Sequence, residues 1–253
     1  TDAISVTLEA GATTADVLNS IDAKTSAGID ATSITSINGS IGDITTARNA
    51  TSISTDTNYT STVTGTLSNT DIGNLNALAL ETDGVVTASL TVASDDQANT
   101  ISTSATDIIT LTITDALNSG DITNLNSSAA KTGGVVTAVL SNVSAADANT
   151  LTTSSNDAIT VNLDATAASA SDLIGIDGKT TTVVNASNVT GLTGNLQNIF
   201  DATVGANASG ISTDANYTAT ISVAMTQADI TQLNSVAGDT TGAVSGTLTT
   251  DTV

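Results

Sequence analysis

The 253-residue chain has no cysteine, histidine, proline or tryptophan, and its only aromatic residues are Tyr59, Phe200 and Tyr217. Each absence removes a class of chemistry. Without cysteine there are neither disulfides nor thiolate metal sites. Without histidine there is no imidazole base, no Ser-His triad and no imidazole-ligated zinc. With Met225 as the sole methionine, any core is built from Ile, Val, Leu and Ala. So thin a core suits architectures in which each stretch of chain buries a narrow aliphatic strip against its neighbours.

Positive charge is equally scarce. Lys24, Arg48, Lys131 and Lys179 face 25 acidic residues, for a net charge of -21. Such a field repels phosphate backbones and argues against a nucleic-acid partner. It is best tolerated where salt or divalent cations shorten the repulsion to about 8 Å or less, as in a marine or cell-surface setting. No apolar run approaches the length of a membrane span. The chain opens on a strand-like run, Ile4 to Leu8, with no initiator Met and no basic-then-apolar leader, so a signal peptide is expected to have been removed or to lie upstream. Plentiful aliphatic residues at periodic positions argue against disorder.

What the chain does have is repetition. An Asp recurs before a short apolar, Asn-rich run at Asp16, Asp43, Asp71, Asp96, Asp121, Asp147, Asp172 and Asp229, with Asn195 in the equivalent place. The unit is about 25 residues, within the range of known coil-forming repeats. Each unit opens on alternating apolar and polar residues, the mark of a half-buried strand. Examples are Ile4-Ser5-Val6-Thr7-Leu8, Val86-Thr87-Ala88-Ser89-Leu90, Ile109-Thr110-Leu111-Thr112-Ile113, Ile159-Thr160-Val161-Asn162-Leu163 and Tyr217-Thr218-Ala219-Thr220-Ile221. A helix-start signal follows, with Ser, Thr or Asn three places before the Asp: Thr13 and Asp16, Ser40 and Asp43, Ser68 and Asp71, Asn118 and Asp121, Ser144 and Asp147, Ser169 and Asp172, Thr226 and Asp229. The first residue can cap free N–H groups, and the Asp lies where the helix dipole favours negative charge. Ile72, Leu75 and Leu78, like Ile230, Leu233 and Val236, then follow at helical spacing. Gly and Asp or Asn, as in Thr82-Asp83-Gly84 and Thr132-Gly133-Gly134, return the chain to the next strand.

Strand, short helix and tight return predict a right-handed parallel β-solenoid, each coil carrying a short helix or a single helical turn. Nine to ten coils would form one continuous unit over residues 1–253. A longer period overlies the short one. Ile53-Ser54-Thr55-Asp56-Thr57-Asn58-Tyr59-Thr60 reappears as Ile211-Ser212-Thr213-Asp214-Ala215-Asn216-Tyr217-Thr218, and Asp22 and Lys24 reappear as Asp177 and Lys179. The chain thus spans about one and a half copies of a super-repeat of about 156 residues. Ile4 to Leu8 and Val244 to Leu248 both read as internal strands without polar caps, which predicts flanking repeats or end-to-end stacking of copies.

Asp71-Ile72-Gly73-Asn74-Leu75-Asn76-Ala77-Leu78 with Gly84-Val85-Val86-Thr87-Ala88, and Asp121-Ile122-Thr123-Asn124-Leu125-Asn126 with Gly133-Gly134-Val135-Val136-Thr137-Ala138, resemble repeats in very large surface proteins of cyanobacteria and other aquatic bacteria. The resemblance implies a secreted or cell-surface protein serving in layers, adhesion or motility. The calcium-binding glycine-rich nonapeptides that many such proteins carry are missing here.

No catalytic or cofactor-binding residues are assigned. Ser and Asp abound, but hydroxyls without an activating base stay inert, and the carboxylates recur in every coil rather than gathering once. Oxygen ligands for Ca²⁺ could come from Asp95 and Asp96, or from Asp22 and Asp30 near Asn38. The competing reading makes the recurrent Asp residues helix-cap partners and the others solvated turns. Outward pairs at Ser5 and Thr7, Thr60 and Thr62, Thr87 and Ser89, Thr110 and Thr112, and Thr218 and Thr220 would stack about 4.8 Å apart between coils and about 6.7 Å apart along the strand. Such a ladder resembles ice-binding solenoids, although Val139, Asn162 and Asn185 break it. Thr is also simply a good residue for an exposed strand face.

The sequence therefore predicts a non-enzymatic structural or adhesive repeat segment of an extracellular filament, sheath or surface layer. Its expected partner is itself, end to end or through further repeats, with glycans or the cell envelope beyond that. The alternative is a binding module, for ice through the Thr rows or for glycans with the help of calcium.

Overall fold

The structure, a computed structural model, describes residues 2–249. Alternating residues form strands, with Ile109, Leu111 and Ile113 buried along Ile108–Leu117, and Ile159, Val161 and Leu163 along Ala158–Leu163. The strand pairings are parallel.

The predicted right-handed parallel β-solenoid is nevertheless corrected by the fold. The described residues form a mixed α/β architecture with a seven-stranded parallel sheet, further sheets of four, three and two strands, and nine α-helices. The seven strands lie in the order Ile211–Thr213, Val184–Ala186, Ala158–Leu163, Val136–Val143, Ile108–Leu117, Val86–Val92, Ser61–Leu67.

Two physical effects account for the difference. The capping signals start true helices: Ile72–Glu81 and Ile230–Asp239 run for ten residues each, enough to bury Ile72, Leu75 and Leu78 along one face of the first. Short polar side chains also cut the strands. Asp30 accepts the N–H and hydroxyl of Thr32 (3.1 and 2.6 Å), Asp164 those of Thr166, and Asn185 those of Ser187. These local turns compete with the sheet ladder. Past the turn at Asp164, Ala168–Ser169 joins Gly191–Gly194, Thr218–Ile221 and Val244–Ser245 in the separate four-stranded sheet.

The chain divides into two compact units, one of residues up to Ile113 with Ser127–Val135, the other of Thr114–Asn126 with residues from Val136 on. In the first, Leu18, Ile44, Tyr59, Leu75, Leu90 and Leu111 are fully buried, and in the second Leu140, Val161, Leu173, Ile199 and Tyr217. Among the described residues every buried side-chain nitrogen and oxygen has a hydrogen-bond partner.

Most of those buried polar groups belong to one recurring device. Thr132 Oγ1 accepts the N–H of Ile109 (2.8 Å) and of Gly134 (2.9 Å) and donates to the Ile109 carbonyl (2.8 Å). Thr180 does the same at Ile159, and Thr25 at Ile4. Thr82 and Thr240 donate to the carbonyls of Tyr59 and Tyr217 and accept from Gly84 and Gly242. Buried carboxylates complete the pattern: Asp107 accepts from the Val86 and Ser104 amides (2.8 and 2.9 Å), and Asp157 from those of Val136 and Ser154 (both 2.7 Å). The bonds to Ile4, Tyr59, Val86, Ile109, Val136, Ile159 and Tyr217 tie stretches of chain about one repeat apart, the others close local turns, and all satisfy backbone groups that burial would otherwise leave unpaired.

Candidate functional site

The most regular exposed feature is the hydroxyl-bearing outer face of the sheets, and its register differs from the one the sequence suggests. In the first unit Thr62 pairs with Thr87 and Thr66 with Ser89, across a bulge between Thr62 and Thr66. Ser89 then pairs with Thr110 and Thr91 with Thr112, two residues out of step with a Thr87-to-Thr110 stack. Thr218 and Thr220 lie in the four-stranded sheet, apart from Thr87 and Thr110. There Ser169, Thr193, Thr220 and Ser245 stand in register across four strands. Ser5 and Thr7 lie at the edge of the three-stranded sheet, in an open groove of about 510 Å³ with Gly28, Asp30, Thr32 and Ser54. The breaks become a polar row of their own in the second unit. Asn162 pairs with Ser141 and Asn185, and the Asn185 amide donates to Asn162 Oδ1 at 3.0 Å.

The oxygen ligands suggested for calcium take part in local hydrogen bonds. Asp95 is buried while its neighbour Asp96 is exposed. Asp22 accepts from Ser52, Asp30 from Thr32, and Asn38 from Ser36 and from the Thr62 amide. The Thr32 hydroxyl and amide hold the Asp30 carboxyl below its ordinary range. Among the described residues no three acidic side chains converge as a metal cage would require. Ser40 and Ser144 cap as predicted, accepting the Asp43 and Asp147 amides. Asp71, Asp121 and Asp229 complete capping boxes with Ser68, Asn118 and Thr226. Thr14, rather than Thr13, caps the first helix.

Three of the four cations are bound internally. Lys131 Nζ donates to the Asn99 carbonyl (2.7 Å) and side chain (3.0 Å), and Lys179 Nζ to the same atoms of Asn149. Both sit at carbonyl ends of short helices, where positive charge is favoured. Arg48 Nε meets Glu81 Oε2 at 2.5 Å, and Arg48 also donates to the Ala77 carbonyl. Little positive charge is left to offset the acidic surface, so the fold repels itself. Melting in about 500 mM NaCl is expected several degrees above melting in about 10 mM, where the Debye length is about 30 Å. Calorimetry checks this, and a melting point that falls with NaCl contradicts it.

Tyr59 donates to Glu81 (3.1 Å) and Tyr217 to Asp239 (3.0 Å). Burial, and then the Glu81 charge, push the Tyr59 hydroxyl well above its ordinary range. Burial, aided by the Asp239 carboxylate and opposed by Thr203, pushes Tyr217 up to about 12. Because an unfolded tyrosine ionises near pH 10, the protonated native hydroxyls favour folding fully below that pH, and the advantage is lost as pH rises from about 10 towards 12. Denaturant titrations should give equal stability at pH 8 and 9 and a steep loss beyond about 10. No decline before about pH 12 would contradict the buried pairs.

Chemically, this surface offers neutral donors and acceptors in rows, with carboxylates spread singly among them. A second groove, of about 200 Å³ and lined by Asn195, Gln197, Met225, Asp229 and Gln232, is already internally bonded: Gln232 donates to Gln197, and Asp229 accepts from Thr226. Sequence reading missed the buried Thr and Asp clamps, although a signal was present: Thr82, Thr132, Thr180 and Thr240 each stand four residues before a strand valine, Val86, Val136, Val184 and Val244, and Thr25 four before Ile29. Searches against protein-family models, curated proteins and solved structures find no match to this chain.

Proposed function

We propose that this chain is a non-catalytic structural or adhesive segment of an extracellular filament, sheath or surface layer. The observation that carries this reading is the distribution of polar chemistry. The same Thr clamp recurs at Thr25, Thr82, Thr132, Thr180 and Thr240, and the same carboxylate clamp at Asp107 and Asp157. Reactive groups are thus spent on joining neighbouring stretches of backbone, whereas a catalytic site gathers different groups once around a reacting atom. The acidic outer surface, with Lys131, Lys179 and Arg48 turned to internal bonds, suits a hydrated, salt-rich exterior.

Negative-stain electron microscopy of the purified chain tests the proposal: fibres or sheets are expected, and dispersed particles at every concentration would refute it. A second reading, a binding module for ice or a glycan, draws on the in-register row Ser169, Thr193, Thr220 and Ser245. Its flanking row pairs Thr218 with Gly191, so one hydroxyl row stands alone, and inhibition of ice recrystallisation would be needed to raise it above the first.

A further inference from the structure

Three different reactive groups meet at one point of the second unit. Asn149 ends the short helix Ala145–Ala148, Asp172 is the third residue of the helix Ala170–Asp177, and Lys179 lies just past that helix. Lys179 Nζ donates to Asn149 Oδ1 at 2.9 Å, and Asn149 Nδ2 donates to Asp172 Oδ1 at 2.8 Å. The amide is thus held at its oxygen by an amine and at its nitrogen by a carboxylate. It fits there because residue 175 is glycine: a Cβ would lie 2.4 Å from Asn149 Oδ1 and 3.1 Å from its Cγ. The root of the lysine is fixed as well, since its carbonyl accepts the Thr153 hydroxyl and its amide donates to the Ile176 carbonyl, both at 2.9 Å.

An amine, an amide carbonyl and a carboxylate are the groups that an intramolecular aminolysis uses. With a C=O bond of about 1.23 Å, Asn149 Cγ lies no more than about 4.1 Å from Lys179 Nζ. A small side-chain adjustment brings such a pair to the about 3–3.5 Å of reacting atoms, and holding both partners in place removes most of the entropic barrier.

We propose that Lys179 and Asn149 become joined by an isopeptide bond, with Asp172 as the proton carrier. Both residues are half-buried, so Lys179 can give one proton to water, and the neutral amine then adds to Cγ. In the tetrahedral adduct both nitrogens sit on one carbon, within reach of Asp172, which is already at Nδ2. The carboxylate takes a second proton from the lysine nitrogen and returns it to Nδ2. The Nζ–Cγ bond stays, the Cγ–Nδ2 bond breaks, and ammonia leaves with its electron pair, to be protonated in water by the first proton. Nothing is oxidised or reduced. The product is a secondary amide that joins residues 30 positions apart and removes the charge of Lys179. The bond depends on this local geometry alone, whatever role the chain plays.

Intact-mass spectrometry of the full chain, held folded at mildly alkaline pH, tests the proposal. The mass is expected to fall below that of the sequence by one ammonia, and digestion to yield a branched peptide joining Asn149 to Lys179. Lys179→Arg and Asn149→Ala should each keep their full sequence mass. Asp172→Asn should do so too while still folding, because the helix Ile122–Ala129 carries Asn124 at its own third position; circular dichroism checks the fold. A native chain that stays at full mass overturns the bond. So does an ammonia loss that survives Lys179→Arg, which marks cyclisation of Asn149 onto its own backbone. A bridge that still forms in Asp172→Asn overturns the part given to the carboxylate.

Discussion

Replacing Gly134 by alanine is expected to destabilise the fold by about 3 kcal/mol or more. A Cβ there would lie 2.5 Å from both the carbonyl carbon and the carbonyl oxygen of Ile109. Those are backbone atoms of a neighbouring strand, so nothing can rotate out of the way. The close approach is itself a product of the Thr132 clamp, which draws the Gly134 amide and the Ile109 backbone onto one hydroxyl. Gly84 and Gly242 face the Tyr59 and Tyr217 carbonyls in the same way, and alanine at either should act alike. Gly73 is the contrast. It lies in the helix Ile72–Glu81 with nothing within 4 Å of its added Cβ, so Gly73→Ala should gain about 0.5–1 kcal/mol through helix propensity. Urea unfolding of the two variants decides the matter, and equal midpoints would contradict the close packing.

Thr132→Val is the second large effect. The substitution keeps the shape of the side chain but leaves the Ile109 and Gly134 amides and the Ile109 carbonyl without the hydroxyl they share. An orphaned buried donor costs about 1–3 kcal/mol, so a loss of about 3 kcal/mol is expected for the group. Thr110→Val, on the exposed face of the same strand, should stay within about 0.5 kcal/mol of the parent. Denaturation midpoints measured side by side test the difference. If the two valines behaved alike, the buried hydroxyls would be incidental to stability.

The local levels of this fold were legible in the sequence, and the global level was not. Period-two runs such as Ile159 to Leu163 are strands with their apolar residues inward, because burial of one face sets that alternation. Ser-x-x-Asp pairs start helices at Ser40 and Ser144, because they satisfy free amides whatever the surroundings. How the strands group into sheets depends on where each strand stops, and that was decided by small turns at Asp30, Asp164 and Asn185. Nothing in the sequence distinguishes these acidic or amide residues from the many others. The outer rows were misjudged for a related reason. The bulge between Thr62 and Thr66 holds Gly65 at a φ of 80°, and it, like the two-residue offset between Thr87 and Thr110, is a matter of register that alternation along a single strand does not report. Of the oxygen ligands suggested for calcium, Asp22, Asp30 and Asn38 each bond to a neighbour's hydroxyl or amide, local pairings that the sequence does not announce.

The account supposes that recurring buried hydroxyls and carboxylates hold neighbouring stretches of backbone together, and native-state amide exchange measured by NMR tests it most directly. The amides of Val86 and Val136, bonded to Asp107 and Asp157, and those of Ile109 and Ile159, bonded to Thr132 and Thr180, should exchange only through cooperative unfolding. Exchange of these four amides as fast as that of exposed turns would contradict the account.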